Sequence, residues 1–392
     1  MYKPPACPST CRSRRSLSSV SNGGLYQERN SCLMESFPSS YSTITTMAAA
    51  PDRGPLSEQR VCIAVDISSS TEGPNLRSEI SAINHISAFL PFHSGDPIPD
   101  PLTVLPWTSK SYTAIPLPSG GSGPPYLRSK GGTTPTCIYS NDTYLKALRE
   151  CSAGFLFTDG EIHVCEVETF SENTTKLGLH GTTCIVVVFG SAANNPPGET
   201  NISVGISIYA LPPNSLLPFH DFPTDTVYLL QAKGCFQVLL PAGTSQPTLD
   251  GDLRWPQVPR VTYRDLADII IPSPRTLSKD ERVLQDGLVI RLKDIYDRTA
   301  SQETLKQVAR LENLSSIVMS EVSRGNGKLL SNVLRNTQTH LSPRGRIDFK
   351  TLGVLMKQTS ENRKEWTRNP PSQLIGLNRE TGCSRWELGA RL

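Results

Sequence analysis

No stretch of this 392-residue chain approaches the roughly 18 consecutive apolar residues of a membrane-spanning helix, so no segment reads as a bilayer span. No Cys-x-x-Cys pair occurs, which removes the usual zinc frameworks and leaves the loose group Glu161, His163, Cys165 and Glu166 without a ligand set. The Gly-x-Ser-x-Gly elbow of serine hydrolases is missing, and the serines beside Asp66 have no evident base. The glycine-rich stretches LPSGGSGPP and GNGKLL lack the spacing that wraps a phosphate and follow no buried strand, so they read as loops. Without a repeat of a few tens of residues, propellers and solenoids drop out. Ten cysteines stand at irregular spacing, several, such as Cys62 and Cys184, inside apolar runs; they read as small buried hydrophobes in a reducing compartment. The N-terminal stretch MYKPPACPSTCRSRRSLSSVSN has no apolar secretory core, and its Arg- and Ser-rich character only faintly resembles a transit peptide. The expected location is the cytoplasm.

What is present divides unevenly. Residues 1–57 carry 6 Lys and Arg against 3 Asp and Glu, residues 58–250 carry 9 against 17, and residues 251–392 carry 24 against 16, so a net charge of +3 conceals an acidic middle and a basic end. Residues 1–55 are rich in Ser, Pro, Arg and Asn and poor in periodic apolar residues, which predicts a disordered arm. A folded domain is expected over 56–240, a linker over 241–275, a helical region over 276–368 and a flexible tail over 369–392. The basic end has interspersed acids and few aromatic residues for base stacking, so nucleic acid is not an expected partner.

The strand candidates Val61–Val65, Gly154–Thr158 and Cys184–Gly190 are near-continuous apolar runs, as parallel strands covered on both faces require. Leu76, Ile80, Ile83, Ile86 and Leu90 recur at helical spacing, and NDTYLKALREC does so more briefly. Alternation of strand and helix predicts a parallel sheet with crossover helices. PLTVLPWTS and YTAIPLP read as short strands near a sheet edge, because proline cannot donate to a ladder. Ser278 and Glu281 form a capping-box pattern ahead of Leu284, Leu288, Leu292 and Ile295, and Ser301 precedes a second apolar series. These predict helices that form a small bundle or pack back on the preceding domain.

Three segments carry candidate chemistry. VCIAVDISSSTE ends an apolar run in Asp66, Ser68 and Ser70; KGGTTPT places Thr133 behind a glycine pair; GFLFTDGEI ends a second apolar run in Asp159. Hard cations take oxygen ligands, and a strand end presents them from a rigid position. The order Asp-x-Ser-x-Ser, Gly-Gly-Thr, Thr-Asp-Gly resembles the von Willebrand factor A domain, over roughly Leu56 to Leu240. The resemblance implies a doubly wound, mostly parallel, Rossmann-like α/β sheet flanked by helices, and says nothing of the C-terminal helical region expected from the residue pattern.

It further implies a metal-ion-dependent adhesion site that holds magnesium, or manganese in its place. Ser68, Ser70 and Thr133 would touch the ion, with Asp66 and Asp159 acting directly or through water. Thr134 or Thr136 replaces Thr133 if the loop register differs. Few anionic ligands leave such an ion electrophilic, so the implied partner is a protein offering an exposed Asp or Glu, and the implied function is non-enzymatic binding. A metal-dependent hydrolase using the same face is the rival reading, and it needs a general base that the sequence does not show. The oligomeric state is open.

Overall fold

The computed structural model describes residues 53–90, 101–117, 126–242 and 253–321, apart from scattered positions between 195 and 199 and between 309 and 319. The strand β2 (Val61–Asp66) is buried along its whole length. Val61, Ile63 and Val65 face one apolar cluster, Cys62 and Ala64 the other, because successive side chains alternate across a sheet. A strand covered on both faces has no polar side, which is why its sequence is an apolar run rather than an alternation.

The elements in chain order are β1 (Arg53–Pro55), β2, α1 (Pro74–Phe89), β3 (Leu102–Trp107), β4 (Ile115–Leu117), α2 (Asp142–Glu150), β5 (Ala153–Thr158), α3 (Val164–Lys176), β6 (Thr183–Gly190), α4 (Ser203–Tyr209), β7 (Ser215–Asp221), β8 (Thr226–Lys233), β9 (Arg260–Val261), β10 (Ile270–Pro272), β11 (Glu281–Val283), β12 (Val289–Arg291), α5 (Leu292–Tyr296) and α6 (Gln302–Val308). An eight-stranded sheet takes the order β4-β3-β2-β5-β6-β7-β8-β9. Strands β3, β2, β5, β6 and β7 are parallel, while β4, β8 and β9 join antiparallel at the two sides. This is a doubly wound, mostly parallel α/β sheet. Helix α1 covers one face with Leu76, Ile83, Ile86 and Phe89; α2, α3 and α4 cover the other with Tyr144, Phe170 and Ile206. The N-terminus of α2 is fixed by Asn141, whose Oδ1 accepts from the amides of Thr143 at 2.9 Å and Tyr144 at 3.2 Å.

The strand β7, in SLLPFHD, was not among the sequence-derived strands. Pro218 argues against a strand flanked on both sides, yet the pairing of β7 with β8 shifts register between Leu217 and Pro218, so the missing donor falls at an irregularity.

Two further expectations need correction. Residues 253–275, expected in a linker, pack on the sheet: β9 extends it and β10 pairs with β1, which draws residues 53–55 out of the expected disordered arm. Trp255 stacks on Phe219 with centroids 4.5 Å apart, so apolar burial holds this segment in place. The helix expected from Ser278 is instead a hairpin of β11 and β12, followed by α5. Ser278 and Glu281 do bond, with Ser278 N–H donating to Glu281 Oε2 at 2.8 Å, but they close a turn ahead of β11. Asp286-Gly287 makes the hairpin turn, because Gly287 adopts φ +84° and Asp286 Oδ1 accepts from Leu288 N–H at 3.1 Å. The Ser301 cap is present, its Oγ accepting from Thr304 N–H at 3.1 Å at the start of α6. The remainder of the expected arm, the expected helical region beyond 321 and the tail lie outside the described residues.

Residues from 284 onward pack against the α2–α4 face through Leu284, Ile290, Leu292, Ile295 and Ile317. A buried ion pair between Arg282 and Glu321, at 3.0 Å, joins the hairpin to the last described turn. Lys233 at the end of β8 is buried beside it, donating to Ala210 O at 3.1 Å. Burial lowers its pKa to about 7. Between about 7 and the ordinary lysine value of 10.5 the unfolded chain therefore binds a proton that the folded chain does not, and stability rises with pH across that window. Replacing Lys233 with Met is expected to remove this rise and to stabilise the protein most at pH 7 and below. Denaturant unfolding at pH 6.5 and 9.5, on the order of the two ends of that window, compares the two proteins.

Candidate metal centre

Strands β2 and β5 lie side by side and end at the same edge of the sheet. The chain leaves β2 for β3 on one side and spreads through β5, β6 and β7 on the other, so the crevice between β2 and β5 is the topological switch point, where open α/β sheets bind ligands. Asp66 is the last residue of β2 and Thr158 the last of β5.

Asp66 is fully buried. Its Oδ1 accepts from Ser68 N–H at 2.9 Å, and its Oδ2 accepts from the Thr158 hydroxyl at 3.2 Å, which ties the two strand ends together. Burial raises the Asp66 pKa to about 7; the Ser68 and Thr158 hydrogen bonds oppose this and the charge of Asp159 adds to it. Ser68 Oγ and Ser70 Oγ are 3.0 Å apart, the first residue buried and the second exposed. Asp159 Oδ1 accepts from Glu161 N–H at 3.0 Å, whereas its Oδ2 is buried with no hydrogen-bond partner among the described residues.

The third segment is held against the first by its backbone. Lys130 N–H donates to Ile67 O at 2.8 Å, and Ser69 N–H donates to Gly131 O at 3.0 Å, so Thr133 follows two residues after a direct contact with the Asp66–Ser70 loop. Of the three threonines there, Thr136 is engaged elsewhere, its hydroxyl donating to Glu166 Oε2 at 3.2 Å. The hydroxyls of Thr133 and Thr134 have no hydrogen-bond partner among the described residues. The fold thus gathers the segments bearing Asp66, Ser68, Ser70, Thr133 and Asp159 at one sheet edge.

Among the described residues, no three His, Cys, Asp or Glu side chains are placed to hold a metal by themselves. A cation placed in this crevice would therefore need the hydroxyls as well as the carboxylates, and such an oxygen-only set would suit magnesium or manganese better than zinc. The unpartnered Oδ2 of Asp159 fits such an ion, since a buried carboxylate oxygen without a donor is otherwise destabilising.

Three contributors were missed in the sequence reading. Thr158, inside the Thr-Asp-Gly motif, bridges to Asp66. Asn201, ahead of α4, clamps the turn after Asp159 by donating from Nδ2 to Gly160 O at 2.8 Å. Glu79 of α1 is fully buried with both oxygens unpartnered, and its pKa is pushed well above the usual range by burial and by the charges of Asp66 and Asp159. The signal for Glu79 was available: it lies three residues after Leu76 and four before Ile83, on the apolar stripe itself.

No family model matches the chain. It is 24% identical over 231 residues to an uncharacterized protein, R626, of Acanthamoeba polyphaga mimivirus, covering 56% of this chain and 36% of the viral protein. The matched region thus spans about a third of that relative's length. Among solved structures, the ArnB paralog VWA2 from Sulfolobus acidocaldarius is similar at 12% identity with a TM-score of 0.34, over 79% of this chain and 90% of that one.

Gly160 shows how tightly the Asp159 turn is built. It adopts φ +82°, and a Cβ there would lie 2.5 Å from Asn201 O. Gly160→Ala is expected to destabilise the protein by about 1–3 kcal/mol and to displace Asp159. Chemical denaturation measures the first effect, and cation titration of the folded variant the second.

Proposed function

We propose that this chain is a non-enzymatic protein-interaction module of the von Willebrand factor A kind, which captures partners through a divalent cation at the crevice between β2 and β5. The cation is magnesium, or manganese in its place. Ser68, Ser70 and Thr133 supply hydroxyl oxygens, while Asp66 and Asp159 supply charge, directly or through water. The observation that carries the reading is the meeting of two strand-end aspartates at the switch point, one bonded across the crevice through Thr158 and the other with a buried, unpartnered oxygen.

The chemistry follows from the donor set. Neutral hydroxyls in place of further carboxylates leave a bound divalent ion with residual positive charge, and a hard cation in that state takes another oxygen ligand. An Asp or Glu presented by a partner protein supplies one, forming a charge-assisted bridge at the rim where Ser70 is exposed. Affinity then depends on the ion and on the partner's acid together. This accounts for a site on a rigid sheet edge, since a bridge of this length and direction tolerates little movement of the loops.

The test is affinity capture from cell extract with the whole chain, in magnesium and in chelator, followed by mass spectrometry. Partners are expected to elute with chelator and to be lost, at least about tenfold, with Asp66→Ala, while circular dichroism shows the variant folded. Recovery of the same magnesium-dependent partners by Asp66→Ala sinks the proposal.

A further inference from the structure

Two stretches on the β3 side of the metal centre, residues 101–117 and 126–141, carry three cations, Lys110, Arg128 and Lys130, and no Asp or Glu. All three cations are exposed. None forms an ion pair among the described residues. Instead, Lys130 Nζ lies 4.4 Å and Lys110 Nζ 5.7 Å from the centre of the Tyr112 ring, and the Arg128 guanidinium lies 4.6 Å from that of Tyr126, itself 79% exposed. Backbone bonds fix this group to the site. Lys130 N–H donates to Ile67 O at 2.8 Å, one residue beyond Asp66, and Thr134 N–H donates to Thr108 O at 3.1 Å, which ties the turn bearing Lys110 to the loop bearing Thr133. The hydroxyls of Thr108 and Tyr112, 3.2 Å apart, hold the shared ring in place. The other two loops of the site continue into exposed acids, Glu72 after Ser70 and Glu161 after Asp159. The rim is therefore cationic on one side and acidic on the other.

Cation–π contact accounts for where these side chains lie. It does not account for three cations without a countercharge beside a crevice proposed to take up a cation, since like charges repel, and the surrounding residues 58–250 hold 17 acids against 9 bases. Complementarity to a partner does account for them. We propose that Lys110, Arg128 and Lys130 select partners whose metal-binding Asp or Glu lies within an acidic run, the flanking acids seating on the side of Tyr112 and Tyr126. The proposal rests on the reading under Proposed function and narrows it: the ion takes one carboxylate from any acidic partner, and the rim distinguishes an acidic segment from a lone acid. Exposed charges of this kind act mainly on the rate of encounter and are screened by salt.

The experiment is fluorescence anisotropy of two labelled probes with the full chain, an oligoglutamate peptide and a Gly-Ser peptide carrying a single central Glu, in magnesium and in chelator. Wild type is compared with the triple variant Lys110→Gln, Arg128→Gln, Lys130→Gln. A control, Lys146→Gln, Arg149→Gln, Lys176→Gln, removes the same charge from the exposed faces of α2 and α3. Thermal unfolding establishes that each protein is folded. In magnesium at low salt, wild type and control are expected to prefer oligoglutamate by about tenfold, a preference that falls toward unity in the rim variant and at high salt, while the single-Glu peptide binds all three proteins alike. No preference in wild type, the same preference in the rim variant, or an equal loss in the control overturns the inference and leaves the cation-binding reading standing. Tighter, magnesium-independent binding of a labelled single-stranded oligonucleotide than of oligoglutamate also overturns it, since the rim is then a nonspecific polyanion patch. If neither peptide binds wild type better in magnesium than in chelator, the reading under Proposed function fails and this inference with it.

Discussion

The parallel pairing of β2 with β5 is the constraint on which the rest depends. It aligns Val61 with Ala153 and Val65 with Phe157, so the two strands end together and release Asp66 and Asp159 at the same edge. Because the side-chain period of a strand is two residues, a slip by one would turn Asp66 to the opposite face and expose half the core. The apolar faces of both strands therefore enforce the register, and the bond from Thr158 to Asp66 reads it out. The polar site inherits its geometry from the apolar core.

That inheritance has an energetic logic. Each of Leu76, Ile83, Ile86 and Phe89 on α1 contributes about 1.5–3 kcal/mol on full burial, enough together to offset a buried acid on the same helix. Asp66, Asp159 and Glu79 are the opposing terms: carboxyl groups in or beside a low-dielectric crevice, repelling one another. Buried acceptors without a partner, such as Asp159 Oδ2 and the two oxygens of Glu79, are uncommon in a well-packed fold.

The C-terminal segment shows the same reasoning at a different scale. Its capping-box pair and leucine spacing predict a helix, and the local bonds do form, yet the chain becomes a hairpin. The Asp-Gly pair at 286–287, flanked by apolar residues, was the stronger signal, because only a turn of that kind uses both the positive φ of Gly287 and the acceptor of Asp286. The hairpin then presents Leu284 and Ile290 to the α2–α4 face. Pro218 likewise breaks the local rule for a strand paired on both sides, and the register shift beside it absorbs the missing donor. In both cases a neighbouring feature overrides a local rule.

From its sequence alone this chain declares the α/β class, the central strands, the helix that follows Asp66 and the three segments that carry the candidate oxygen donors. Those features are written in apolar runs, helical spacing and motif order, all of which are local. The pairing of β1 with β10, the return of residues 253–321 onto the sheet, the Thr158 bridge and the burial of Glu79 beside two other acids were decided only in three dimensions. Each joins positions far apart in the chain or depends on what surrounds a side chain, and neither distance nor environment is carried by the order of residues.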